Sequence, residues 1–236
     1  MSYATSIQGK NFTYNGKRVT YSIPIDNGPP AFLTTDGSTM GWYMTDTSSQ
    51  MRFVSYPRTV NGLYNQVPVS GWNLDDPNNV AYWNEVPLDT SLGLYFDGNS
   101  EIWQNGGSPV IPQPYIIYAV LSKLVLANGG YAIWLNSAGS LQSSFGASRM
   151  NYNGILRDVS LGKYQIYRMV GDGANSTFQI GDGSIGGATT TGSIDGLSIG
   201  GGQSAIGMRE IIVRGKHDSP ADELAIYNYL KTKYNL

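Results

Sequence analysis

Short β-forming runs, each closed by glycine, asparagine or aspartate, set the tightest limit on what this chain can fold into. Leu92-Gly93-Leu94-Tyr95-Phe96 runs into Asp97-Gly98-Asn99. Tyr115 to Leu121 is an unbroken stretch of aromatic and aliphatic residues, and Tyr131 to Leu135 follows the turn Asn128-Gly129-Gly130. Lys163 to Val170 alternates polar and apolar residues; Ser176 to Ile180, Leu197 to Ile199 and Met208 to Val213 are further runs of the same kind. Strands this short, spaced by turn residues, predict an all-β sandwich or barrel. Residues 31–90 fit the same pattern more loosely, as short strands and long loops broken at Asn61-Gly62, Ser70-Gly71 and Asp75 to Asn79. The glycine-rich stretch Gly181 to Gly202 reads as tight turns around two short strands. It lacks the lysine and the following helix that a phosphate loop needs.

The two ends differ from this middle. Residues 1–30 are polar and aromatic, and Asn15-Gly16 is a favoured hairpin turn between Phe12-Thr13-Tyr14 and Arg18 to Ser22. Gly28-Pro29-Pro30 closes that unit. Residues 1–30 therefore read as an N-terminal extension or arm, and residues 31–236 as the sandwich domain. At the other end Ser219 is placed to cap a helix that opens on Pro220, with Asp222 at the capping-box position. Ile226, Tyr227, Leu230 and Tyr234 fall on one side at helical spacing. A helix over 220–233, packed on the sandwich, is expected.

Four places carry a resemblance to the concanavalin A-like, laminin-G-type jelly-roll superfamily. Gly93-Leu94-Tyr95-Phe96-Asp97-Gly98 looks like its early strand ending in Phe-Asp-Gly, and Tyr115 to Leu121 like the next core strand. Leu197-Ser198-Ile199-Gly200-Gly201 looks like the strand ending in Ile-Gly-Gly. Glu210-Ile211-Ile212-Val213, Ser219, Tyr229-Leu230 and Lys233-Tyr234 resemble the closing strand and helix. The likeness covers roughly residues 90 to 236. The chain departs from it at Arg214-Gly215-Lys216-His217-Asp218, where members often have a short tyrosine-containing turn. The resemblance implies an antiparallel jelly-roll β-sandwich with a short C-terminal α-helix. Such folds bind glycans or protein partners, and they occur as adhesion, tail and capsid-decorating modules of bacterial viruses.

Composition removes several functions. The chain has no cysteine and one histidine, His217, so thiolate zinc, iron–sulfur clusters and disulfide scaffolds are excluded. Its formal net charge is −2 and its basic residues do not cluster, so no nucleic-acid footprint is expected. No apolar run is long enough for a membrane helix, so no membrane insertion is expected. Met1 to Thr5 shows no secretory signal. Catalytic relatives of the fold place acids in a Glu-x-Asp-x-x-Glu pattern, which this sequence lacks. Asp89, Asp97 and Glu101 read as turn and surface acids. His217 beside Asp218 has no nucleophile elbow to serve and reads as a surface histidine. No cofactor is expected. Calcium is the one cation for which loops offer oxygen ligands, at Asp75, Asp76, Asn78 and Asn79 or at Asp172, Asn175 and Asp182. Neither set matches a calcium-loop motif, and ordinary turns explain both.

What remains is binding. Glycan recognition needs an aromatic platform with nearby amides and carboxylates. Trp103 with Asn99 and Glu101 is the first candidate, followed by Trp72 and Trp83; Trp42 and Trp134 are expected to fill the core. Subunit contact is the other candidate. Tyr3, Phe12, Tyr14 and Tyr21 in the extension are its aromatic anchors, since interface centres are rich in such residues. The leading expectation is a non-enzymatic virion structural or decoration protein. It would be made in the host cytoplasm, would contact other virion proteins or copies of itself, and would contribute to host adhesion. The alternative is a carbohydrate-binding, lectin-like module; a glycan-active enzyme ranks below both.

Overall fold

The structure, a computed structural model, describes residues 11–14, 17–20, 28–46, 48–55, 59–67, 74–75, 81–83, 93–98, 101–103, 110–124, 130–143, 148–187, 189–201 and 205–236. Strands β1 (Asn11–Tyr14) and β2 (Lys17–Thr20) pair as a hairpin with Tyr14 opposite Lys17. This is the hairpin that Asn15-Gly16 predicts. A single-turn helix, α1 (Phe32–Thr35), follows. The chain then supplies β3 (Thr39–Met44), β4 (Met51–Ser55), β5 (Thr59–Leu63), β6 (Leu74–Asp75), β7 (Ala81–Trp83), β8 (Leu94–Asp97) and β9 (Glu101–Trp103). After these come β10 (Tyr115–Lys123), β11 (Gly130–Trp134), β12 (Ser140–Ser143), β13 (Arg149–Tyr152), β14 (Ile155–Asp158) and β15 (Gln165–Gly171). The last elements are β16 (Thr177–Ile180), β17 (Gly186–Gly187), β18 (Ser198–Gly200), β19 (Ala205–Arg214) and α2 (Pro220–Tyr234).

Beside the β1–β2 hairpin, the described residues form two antiparallel sheets. The larger runs β17-β16-β15-β10-β19-β8-β7-β5-β4, with β3 also on β19 and β6 also on β5. The smaller runs β14-β13-β12-β11-β18-β9. They pack face to face over one apolar core. The larger sheet gives it Phe96, Ile117, Leu121 and Met169, and the smaller gives Ile102, Ile133, Leu141 and Ile199. The expected sandwich is the observed one.

Why β10 and β19 sit at the centre is written in their side chains. On β10, Tyr115, Ile117, Ala119 and Leu121 enter the core between the sheets, while Ile116, Tyr118 and Val120 enter a second core beneath α2. A strand buried on both faces needs no polar alternation, and its sequence has none. On β19, Val120 pairs with Glu210 but Leu121 pairs with Met208, so Arg209 is an extra residue in the ladder. The bulge changes the strand's parity. Ile206 and Met208 before it, and Ile211 and Val213 after it, all reach the same inter-sheet core. Complete burial of each such side chain contributes about 1.5–3 kcal/mol.

Helix α2 covers the outer face of the larger sheet. Ser219 Oγ accepts the Asp222 N–H at 3.2 Å, Pro220 opens the first turn, and Asn235 closes the helix at φ 54°. Its buried stripe is Ile226, Tyr229, Leu230 and Tyr234. Tyr229 stands where the sequence reading put Tyr227. The two lie on either side of Ile226 at helical spacing, and the sheet takes the Tyr229 side. Tyr227 lies at the margin, half-buried, with its hydroxyl on Asp182 at 2.7 Å.

A fully buried carboxylate fastens this helix. Glu210 accepts from Trp42 Nε1 at 2.7 Å, Tyr234 OH at 2.7 Å, Tyr229 OH at 3.1 Å and Lys233 Nζ at 2.8 Å. Three of these donors belong to α2. Burial, with the negative Glu210 beside it, pushes the Tyr234 phenol far above its ordinary range, so it stays a donor. A second buried cluster ties the helix entry down. Arg214 forks onto Asp218, with Nη2 to Oδ1 at 2.8 Å, and onto Asp36, with Nη2 to Oδ2 at 2.6 Å. Tyr118 OH donates to Asp218 at 3.3 Å. The bonds from Arg214 hold the Asp36 carboxyl well below the usual carboxylate range. The segment Arg214 to Asp218 is therefore the latch of the C-terminal helix.

A buried donor stripped of its acceptor is costly. Glu210→Gln keeps the shape, removes the charge and turns an amide donor toward other donors. Lys233 keeps Asp46 at 2.6 Å, so urea unfolding is expected to show a loss of about 1–3 kcal/mol, the cost of buried donors left unsatisfied, with an unchanged denaturant slope. A loss below about 1 kcal/mol would mean that the clamp does not hold the helix.

Candidate functional site

Strand β11 reads Gly130-Tyr131-Ala132-Ile133-Trp134. Simple alternation puts Tyr131 and Trp134 on opposite faces of a sheet, because they are three residues apart. The observed register breaks that rule. Tyr131 pairs with Gln142 while Ile133 pairs with Leu141, so Ala132 is an extra residue. Ala132 and Ile133 are both wholly buried, and Tyr131 and Trp134 both turn outward, 39% and 43% exposed. Their rings lie 5.7 Å apart between centroids with planes 19° from parallel. The bulge thus builds a two-ring aromatic platform on the outer face of the smaller sheet. Trp134 was expected in the core, and the bulge is why it is outside. Trp42 does fill the core, buried beneath α2 with its indole N–H on Glu210.

Polar residues surround the two rings. Directly paired residues of adjacent strands share a face. Across the strands from Tyr131 the register runs to Gln142, then Asn151, then Leu156. From Trp134 it runs to Ser140 on one side and to Ser198 on the other. Gln142 Nε2 donates to Ser140 Oγ at 3.0 Å, which braces the amide beside the rings. Asn151 Oδ1 accepts the Gly154 N–H at 2.8 Å in the turn joining β13 and β14. That turn, Asn153-Gly154, has both residues at positive φ, 46° and 93°, as a two-residue hairpin connection requires. At the end of β11, Asn136 stands at φ 55° and leads into Ser137. The Asp195 carboxylate accepts from the Ser137 backbone N–H at 2.9 Å and from its hydroxyl at 2.6 Å. These bonds hold the Asp195 carboxyl below its ordinary range.

Such a surface has a definite chemistry. Indole and phenol faces are apolar and carry a negative quadrupole, so they attract the polarised C–H face of a sugar ring. Side-chain amides supply paired donors and acceptors for the hydroxyls at the ring's rim. Among the described side chains, the two register rows around the platform carry amides and hydroxyls, and no pair of carboxylates stands across them.

The residues singled out in the sequence fall as follows. Trp103 pairs with Ser198, and Ser198 pairs with Trp134, so Trp103 takes the next register position in the platform's own row. Glu101 pairs with Gly200 on the same two strands. For Trp103, Glu101 and Trp83 the backbone alone is described, as it is for Phe12 and Tyr14. Trp72, Asn99, Asp89, Tyr3 and Tyr21 lie outside the described residues. His217 is exposed and faces Asp172 at 3.1 Å, while Asp218 is taken by Arg214. Asp182 pairs with Lys231 at 3.0 Å, so Asp172 and Asp182 are engaged by different side chains. Among the described residues no group of three His, Cys, Asp or Glu side chains could hold a metal ion.

Exposed aromatics that serve a ligand are dispensable for folding. Tyr131→Ala and Trp134→Ala are each expected to change stability by no more than about 0.5 kcal/mol in chemical denaturation, as for ordinary surface positions. A loss of about 3–5 kcal/mol, the cost of truncating a core aromatic, would contradict the platform.

No protein-family model matches the sequence, and no curated protein matches it either. Solved structures match by shape. The binding domain of botulinum neurotoxin serotype D aligns with a TM-score of 0.54 at 10% identity, covering 81% of this chain and 50% of that one. A GH54 α-L-arabinofuranosidase soaked with a cyclic sulfate inhibitor aligns with a TM-score of 0.51 at 11% identity, covering 73% and 50%. A mutant of Trypanosoma rangeli sialidase displaying trans-sialidase activity aligns at 0.47 and 11%, covering 83% and 33%. The chain spans a third to a half of these solved chains. At such identities the likeness concerns the β-sandwich fold.

Proposed function

We propose that this chain is a non-enzymatic carbohydrate-binding module that takes its ligand on the outer face of the smaller sheet. One observation carries the reading: a bulge turns two aromatic side chains out of the fold, side by side, among amides and hydroxyls. Exposed aromatics grouped in this way mark binding surfaces. A platform of rings and amides binds sugar without cleaving it, because glycosidic hydrolysis usually needs two carboxylates flanking the bond. A shared fold with an arabinofuranosidase is compatible with a glycan ligand, although fold does not determine function. The expected test is a broad glycan array followed by titration of the retained oligosaccharide. Trp134→Ala should weaken binding by at least about tenfold, or 1.4 kcal/mol. No glycan retained above background at millimolar ligand would contradict the reading.

The setting we propose is the virion, with this module serving adhesion and the N-terminal extension serving attachment to a neighbour. The hairpin β1–β2 favours the attachment part of this reading. Among the described residues it forms a sheet of its own, and neither strand pairs with a strand of the sandwich. A lone two-stranded hairpin is marginal in water and gains stability on a partner surface, with Tyr3, Phe12, Tyr14 and Tyr21 as its proposed anchors. The full chain is expected to sediment as an assembly or to bind virion shells, and a chain starting at residue 28 to do neither while keeping its sandwich. A full chain that stays monomeric and ignores virions would sink this setting.

A further inference from the structure

On the opposite outer face of the molecule, α2 and strands β15 and β16 enclose a cleft of about 410 Å³. Small-molecule sites typically span roughly 300–1,000 Å³, so the size is right for one or two sugar rings. We propose that this cleft is a second saccharide site, selective for a neutral ring. The proposal rests on the reading that the chain binds carbohydrate, and the two sites lie on different faces, so each stands or falls separately.

The charges in the cleft argue for a neutral ligand. Its walls carry two cations, Arg168 and Lys231, and two anions, Glu223 and Asp182. All four are already matched. Arg168 Nη2 bonds Glu223 Oε1, and Lys231 Nζ bonds Asp182 Oδ2 at 3.0 Å. Tyr227 OH and Lys231 together hold the Asp182 carboxyl below its ordinary range. A charged ligand would have to break one of these pairs to gain a partner. A polyol can bond to them as they stand, because a paired carboxylate keeps spare lone pairs and an ammonium keeps spare protons.

Hydrogen-bonding capacity remains on the same walls. Gln179 Nε2 donates to Gly183 O at 3.0 Å, and among the described residues its carbonyl oxygen has no partner. The exposed Asn228 amide likewise has none. Arg168 Nε is buried without an acceptor, a donor that a ligand hydroxyl can satisfy. Apolar surface lies between these groups. Leu224 is 58% exposed at the rim, and Ile166 and Pro220 line the wall. Apolar walls with a few converging amides and balanced charges match a sugar ring, which is apolar on its faces and hydroxylated at its edge. With the Tyr131–Trp134 platform on the other face, one chain would offer separate sites to two glycan strands.

The test is an amide NMR titration of the full chain with glucose, galactose, mannose and N-acetylglucosamine, each used alone. Backbone amides of Gly181, Leu224 and Asn228 are expected to shift and saturate with at least one of them at millimolar concentration. Asn228→Trp places a ring in the mouth from an exposed position and should weaken that response by about tenfold or more. Gln179→Ala should weaken it too, and Trp134→Ala should leave it intact. Saturable shifts at Ser140 and Gln142 without any at the cleft would overturn the inference and leave the platform standing. Cleft shifts without platform shifts would support the inference and count against the platform. No saturable cleft shift with any of the four sugars, or cleft shifts unchanged in both Asn228→Trp and Gln179→Ala, would overturn it.

Discussion

The pairing of β10 with β19 is the constraint on which the rest of the molecule depends. Both strands are buried along their whole length, so both faces of the larger sheet must be covered where they run. The smaller sheet covers one face and α2 the other. Apolar packing on the helix side is not left to act alone. Glu210, on β19 itself, gathers donors from β3 and α2, and Arg214 near the end of the same strand gathers Asp36 and Asp218. Hydrophobic burial is non-directional, whereas buried, fully partnered charges are directional. The helix therefore has one seat and one orientation on the sheet.

Among the described residues no helix covers the outer face of the smaller sheet. Its inner face is fixed by the shared core, and its outer face is free to be shaped. A single bulged residue, Ala132, does the shaping. It lets β11 keep Ala132 and Ile133 in the core while presenting two rings outward. Bulges are common where a sheet re-aims side chains for function. The same device in β19, at Arg209, serves packing instead: it keeps Met208 and Ile211 on one face although they are three residues apart.

Much of this was legible in the sequence for physical reasons. Tyr115 to Leu121 has no polar alternation because β10 is buried on both sides, and it was readable as a core strand on that ground alone. Ser219-Pro220 and the stripe from Ile226 to Tyr234 place α2 within a residue at its C-terminal end, because capping and helical period are local. Asn15-Gly16 marks the N-terminal hairpin, whose strands pair as that turn demands. The hairpin of β13 and β14 carries an equally clear signal, Asn153-Gly154, which the sequence reading passed over. Strands β12 to β14 went unread with it. The platform was hidden for another reason. Alternation read along Tyr131-Ala132-Ile133-Trp134 sends Tyr131 and Trp134 to opposite faces, and a bulge is set by cross-strand pairing that local sequence does not encode. Trp103, chosen as the leading aromatic, takes a register position in the right row two strands from Trp134. Trp134, at the centre of that row, was expected in the core.

The most direct measurement is a crystal structure of the chain bound to the oligosaccharide it retains best. A sugar ring laid over Tyr131 and Trp134, with hydroxyls bonded to Gln142 or Asn151, is the result predicted here. Sugar held elsewhere on the chain, with the two rings bare and open to solvent, would contradict the claim that the bulge in β11 builds the binding surface.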